Sequence, residues 1–263
     1  MTETLVVSNR KGGTGKTTVS VNIAAELAAR GQRVLLIDLD TQGHCAVGLG
    51  VKVSRSARTA HDLFNESPAS LADVLVPTGC ERLFLAPANR LFHHGHGRQE
   101  EGILRRAIAD EAIQRDFDVV IVDTPPSHDA LLINGLVAAD WIIVPFVPHP
   151  LAGEGIKQLM RILLKVITES NQGLKVAGFV PVMSNDRIRL HRSVSADVSL
   201  QFGSFKVLPP VRNDITLAEA FALGQPVRYT APHSRAAADF AEIADTIVSR
   251  CLGQDDSTVR EVS

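Results

Sequence analysis

Short apolar, β-branched runs alternate along the chain with segments of helical periodicity. The runs are Thr4–Ser8, Arg33–Asp38, Leu83–Pro87, Asp118–Asp123, Trp141–Val147, Lys175–Met183 and Phe205–Leu208. Several are continuously hydrophobic rather than alternating, the pattern of a parallel strand buried on both faces. Helical periodicity falls near 16–30, 98–115, 128–138, 152–170, 189–201, 215–223 and 233–251. In the first of these, Val19, Ile23 and Leu27 recur every four residues beside Ala24 and Ala28, making one apolar stripe to lie on a sheet, and Gly31 is placed to end the helix. Strand–helix alternation of this kind predicts an α/β fold, doubly wound, with a mostly parallel sheet flanked by helices.

Composition narrows the class. The 263 residues are 45% hydrophobic, 21% charged and 5% aromatic, a globular balance that can bury a core without disulfides. Residues 1–252 are expected to form one domain, with the polar stretch 253–263 as a flexible tail. No apolar run reaches the roughly 18 residues of a membrane-spanning helix, and no secretory signal is visible at the start. Cys45, Cys80 and Cys251 are far apart and form no Cys-x-x-Cys pair, which suits reduced thiols in a cytoplasmic protein.

The decisive chemistry lies in Lys11-Gly12-Gly13-Thr14-Gly15-Lys16-Thr17-Thr18, between a predicted strand and a predicted helix. The glycines let the backbone curl so that successive N–H groups point at phosphate oxygens, and the helix N-terminus adds to that field. Lys16 can reach the β- and γ-phosphates, and the Thr17 hydroxyl can ligate Mg²⁺. Two further runs end in acids: Leu35-Leu36-Ile37-Asp38-Leu39-Asp40 and Val119-Val120-Ile121-Val122-Asp123. Open α/β sheets bind ligands at the C-terminal ends of their strands, so these acids should converge on the loop, where a cation would offset their burial.

A strict Walker loop has glycine where Arg10 stands. With Lys11 as a second lysine ahead of two glycines, the segment resembles the deviant Walker A loop of the ParA/MinD family of ATPases, and the likeness runs from residue 4 to about residue 250. The resemblance implies a deviant P-loop NTPase fold, ATP and Mg²⁺ as ligands, and slow hydrolysis awaiting a partner. It assigns nucleotide contacts to Gly12, Gly13, Thr14, Gly15, Lys16, Thr17 and Thr18. Thr17, Asp38 and Asp123 belong to the metal, with Asp123 as the Walker B acid acting through water. Lys11, Lys16 and Asp40 are the catalytic set: Asp40 orients the attacking water, and Lys11 reaches across a two-fold, ATP-sandwiched homodimer. Asn185 and Arg212 are candidate adenine contacts.

Members of this family act as positioning switches on a surface. Residues 185–235 carry a net charge of +3 and residues 239–263 carry −4, so basic charge is concentrated in a mildly acidic chain of net charge −2. This favours non-specific DNA, contacted by Arg187, Arg189, Arg192 and Arg228, with a nucleoid-associated location and a ParB-like or other cargo-bound activator. No extra helix-turn-helix domain precedes the loop, so sequence-specific binding is not expected. The alternative is a MinD-like membrane-associated ATPase. The last helix argues against it, because Asp239, Glu242 and Asp245 oppose its apolar face and anionic lipid would repel them. A nitrogenase-iron-protein-like role fails for want of cysteines after the Asp123 strand. His93, His94 and His96, flanked by glycine, read as a solvated loop rather than a metal site.

Overall fold

The computed structural model describes residues 2–93, 97–127 and 129–253. His94 and His96, and the tail beyond Gly253, lie outside the described residues. Among the described residues, seven strands form one sheet: β1 Glu3–Val7, β2 Val34–Asp38, β3 Val76–Pro77, β4 Leu83–Ala86, β5 Val119–Asp123, β6 Trp141–Phe146 and β7 Lys175–Pro181. Their order is β3-β4-β2-β5-β1-β6-β7, with every pairing parallel except β3 with β4. The antiparallel β3 ends on Pro77 at the sheet edge, where a missing N–H donor is tolerated.

The continuous apolar runs are explained by two cores, one on each face. Val120 and Val122 of β5 join Leu35 and Ile37 of β2 in one core, while Val119 and Ile121 join Val34 and Leu36 in the other. Side chains alternate across a strand, so both sets must be apolar when both faces are covered. Helices α3 (Ile103–Ile108), α5 (Ala130–Ala138) and α6 (Ala152–Glu169) cover the first face. Helices α1 (Lys16–Ala29) and α10 (Arg235–Cys251) cover the second. α2 (His44–Gly48), α4 (Glu111–Asp116), α7 (Arg189–Phe202), α8 (Thr216–Ala222) and α9 (Val227–Thr230) are the remaining α-helices among the described residues.

Several expectations change in detail. The stripe on α1 proves too narrow: Val21 and Ala25 are buried as well, because α10 and α2 cover the sides the sheet leaves open. Gly31 ends α1 as expected, at φ +91°, with its N–H on Ala28 O and that of Gln32 on Leu27 O. The helix expected over 98–115 is two helices, because the Asp110 carboxylate accepts from Ala112 N and caps α4 afresh.

The strand expected at Phe205–Leu208 does not form. Ser204–Lys206 is a 3₁₀ turn, and the chain beyond it forms no ladder, only isolated bridges of Phe179 on β7 with Val207 and of Ser184, past the end of β7, with Arg212. Pro209 and Pro210 between them have no N–H to extend a ladder. The close approach is made at Gly178, where a Cβ would lie 2.6 Å from Leu208 Cγ and 2.7 Å from the Lys206 carbonyl oxygen. Gly178→Ala should lower stability by about 1–3 kcal/mol through this overpacking. Urea denaturation is expected to show a lower midpoint at unchanged slope.

Candidate functional site

Register assembles the site. Asp123 at the C-terminal end of β5 is the register partner of Val7 on β1 to one side and of Asp38 on β2 to the other. The residue after Val7 begins the turn into the phosphate loop. That loop is tied down from its flank: Asn9 Nδ2 donates to Pro145 O (2.7 Å), Lys11 N donates to Asn9 Oδ1 (3.0 Å), and Thr14 Oγ1 donates to Lys11 O (3.2 Å). Gly13 and Gly15 both sit at φ +73°, which turns the backbone before α1 begins.

The two lysines differ in setting. Lys16 is 7% exposed and Lys11 is exposed to solvent. Burial pulls the Lys16 ammonium below its ordinary pKa, while Asp123 and Asp40 oppose that shift. Asp123 is fully buried; Thr17 Oγ1 donates to its Oδ2 at 2.7 Å, and Ser20 Oγ lies 3.0 Å from its Oδ1 and from Lys16 O, serving one at a time. Asp38 is fully buried as well and accepts from Asp40 N (3.0 Å) and Cys45 N (3.1 Å). Asp40 is half-buried and accepts from Gln42 N at 3.0 Å, so its loop is folded back toward the strand end.

Two buried carboxylates side by side are costly. Burial, then mutual repulsion, pushes Asp38 well above the usual carboxylate range, and burial raises Asp123 while Thr17 and Lys16 hold it down. The oxygen donors Thr17, Asp123 and Asp38, with this surplus of negative charge, fit a hard divalent cation such as Mg²⁺.

The expected site residues are thus largely brought together: the loop Gly12–Thr18, Lys16, Asp38, Asp40 and Asp123 share one strand-end cluster. The adenine candidates meet only in part. Ser184 N donates to Val211 O (3.0 Å) and Asn213 N to Ser184 O (3.0 Å), which sets Asn185 beside the 209–213 loop. The Arg212 guanidinium instead pairs with Asp239 of α10 at 2.5 Å, leaving only its backbone in the loop. Arg228 closes on the buried Glu26 of α1 at 2.6 Å. Arg187, Arg189 and Arg192 are exposed at the start of α7. Ser20 and Cys45 were missed. Ser20 follows Lys16 by one helical turn and was legible from that spacing; Cys45, whose Sγ lies 3.4 Å from Asp123 Oδ2, reaches the cluster through a loop that no periodicity announces.

The strand-end phosphate loop, the buried lysine and the paired acids define a P-loop nucleotide-binding protein, and the family model described as "AAA domain" matches residues 2–176. The chromosome partitioning protein ParA of Caulobacter vibrioides is 32% identical over 252 residues, covering 94% of each chain. A crystal structure of cobyrinic acid a,c-diamide synthase from Mycobacterium smegmatis, with bound ATP analogue and magnesium, aligns with a TM-score of 0.76 at 32% identity over 93% of each chain. The septum site-determining protein MinD of Pyrococcus horikoshii, complexed with Mg-ADP, has a TM-score of 0.76 at 22% identity over 94% of this chain and 96% of its own, and so shares the fold. The chain belongs to the ParA family of P-loop ATPases.

The acid pair has a pH signature. A carboxyl held above its unfolded pKa contributes stability that is complete below the unfolded value near 3.8 and lost as pH rises through the folded value. The nucleotide-free protein should therefore lose stability from this pair as pH rises above about 4. Asp38→Asn removes that loss. Urea unfolding from pH 4 to 8 should show the variant gaining on the wild type with rising pH.

Proposed function

We propose that this protein is a cytoplasmic, Mg²⁺-dependent ATPase that forms an ATP-sandwiched homodimer, binds non-specific DNA of the nucleoid, and positions a cargo through partner-stimulated hydrolysis. The observation that carries the reading is the contrast between its two loop lysines. Lys16 lies within the field of Asp123 and Asp40 and serves the nucleotide of its own chain. Lys11 stands exposed on the same loop, where its ammonium can meet the triphosphate of a second copy.

In this reading the N–H groups of Gly12–Thr18 and the Lys16 ammonium cradle the β- and γ-phosphates. Thr17 and Asp123, with Asp38 beside them, hold Mg²⁺, which when bound offsets phosphate charge. Asp40 orients the attacking water, and Lys11 of the other copy meets charge developing on the leaving oxygen. A site completed only by a partner turns over slowly until an activator engages it. Asn185 and the backbone of the 209–213 loop face the base.

The basic residues of α7 favour DNA as the surface. The first turn of α7 contains no acid, so Arg189 and Arg192 add to the positive end of the helix dipole, with Arg187 just ahead. The apolar face of α10 is not available to lipid, since Phe240, Ile243, Ala244 and Ile247 are buried. Among the described residues, no helix is long and apolar enough to cross a membrane.

Two experiments test this reading. Asp40→Ala saturated with MgATP should sediment as a dimer, and Lys11→Ala added to it should return single subunits while still binding ATP. Monomers in the first case, or dimers in the second, would remove the sandwich. Replacing Arg187, Arg189 and Arg192 by Glu should weaken DNA binding, flatten the log–log salt slope by up to about 3 per chain, and leave dimerisation intact. An unchanged slope would take these arginines out of the interface.

A further inference from the structure

Cys45 sits in the acid cluster without a part in phosphate chemistry. It is the second residue of α2, and its backbone N–H donates to Asp38 Oδ2 at 3.1 Å. Its thiol lies 3.4 Å from Asp123 Oδ2, and one ligand atom from each of Asp38, Cys45 and Asp123 falls within 4.8 Å of the others. All three side chains are fully buried. A tetrahedral ion with oxygen at about 2.0 Å and sulfur at about 2.3 Å sets those two donors about 3.5 Å apart. The sulfur–oxygen gap of 3.4 Å already has that spacing. The Thr17 hydroxyl, 2.7 Å from the same Asp123 oxygen, can supply a fourth donor.

We propose that Asp38, Cys45 and Asp123 bind a thiophilic divalent cation of the zinc or cobalt class in the nucleotide-free protein. A thiolate discriminates sharply for such ions over Mg²⁺, which keeps to oxygen donors. Uptake breaks the S–H bond and forms an S–metal bond, the proton passes to solvent, and no oxidation occurs. The ion draws on Asp38 and Asp123, the same carboxylates that face the phosphate loop, so its presence competes with the arrangement they adopt beside Thr17. The binding claim stands on these three residues and does not require that the protein hydrolyse ATP.

Cobalt(II) chloride added to the reduced, nucleotide-free protein is the direct probe. One equivalent should produce the near-ultraviolet thiolate-to-cobalt charge-transfer band. Cys80→Ser and Cys251→Ser should keep the band, and Cys45→Ala and Cys45→Ser should lose it. Excess Mg²⁺ alone should leave it in place. Asp38→Asn, which keeps the thiol, should bind cobalt at least about tenfold more weakly, and it tests the site even if Cys45 variants fold poorly. No band at saturating cobalt, a band that survives in Cys45→Ala, or unchanged affinity in Asp38→Asn would overturn the proposal.

Discussion

Asp38 and Asp123 are register partners on adjacent strands, both sealed from water. Like charges in that position repel in a medium that screens poorly, and the pair can stay only if positive or donating groups surround it. The local structure supplies them in order of approach. Backbone N–H groups of Asp40 and Cys45 meet Asp38, hydroxyls of Thr17 and Ser20 meet Asp123, and the Lys16 ammonium adds charge. These donors come from α1, from the turn after β2 and from the first turn of α2, so the acids fix where those segments can lie. The same pair leaves negative charge over, and that surplus is the reason a divalent cation is the natural complement of the site.

This constraint reaches outward through α1. Beyond its first turn, Asn22 Oδ1 accepts from Val227 N at 2.9 Å, and the buried Glu26 accepts from both Arg30 and Arg228. Arg30 continues to Asp245 on α10. A buried carboxylate between two guanidiniums is costly to break from either side. The helix that carries the phosphate loop is therefore clamped to α9 and α10, and the loop is presented from a fixed base. Lys11 at the loop and the arginines at the start of α7 stay exposed, within reach of a second molecule.

The central strands and the loop were legible in the sequence because each carries a local signal. Unbroken apolar runs specify strands covered on both faces, and glycines flanking two lysines between a strand and a helix specify a phosphate cradle. What was not legible depends on partners distant in sequence. The stripe on α1 underestimated its burial because α10 packs on it from more than 200 residues away. The run Phe205–Leu208 has strand composition, yet the prolines behind it stop the ladder. Cys45 carries no periodic signal, and only the fold shows it beside Asp123.

The basic segment teaches the same lesson about charge. Counting Lys and Arg over 185–235 treats every cation as equally free to meet a phosphate. The structure sorts them. Lys206 donates to Val176 O, Arg212 pairs with Asp239, Arg228 with Glu26, and Arg235 lies 3.7 Å from Asp214. A cation already paired with a carboxylate must give up that partner to bind DNA, so it releases little free energy on doing so. Arg187, Arg189 and Arg192 are exposed at one helix end, where the backbone dipole reinforces them, and Arg192 donates only to the Asp186 carbonyl, which leaves no carboxylate to be displaced. Surface potential at that spot then comes from placement rather than from net charge, which is why a chain with more acids than bases can still present phosphate with a positive face.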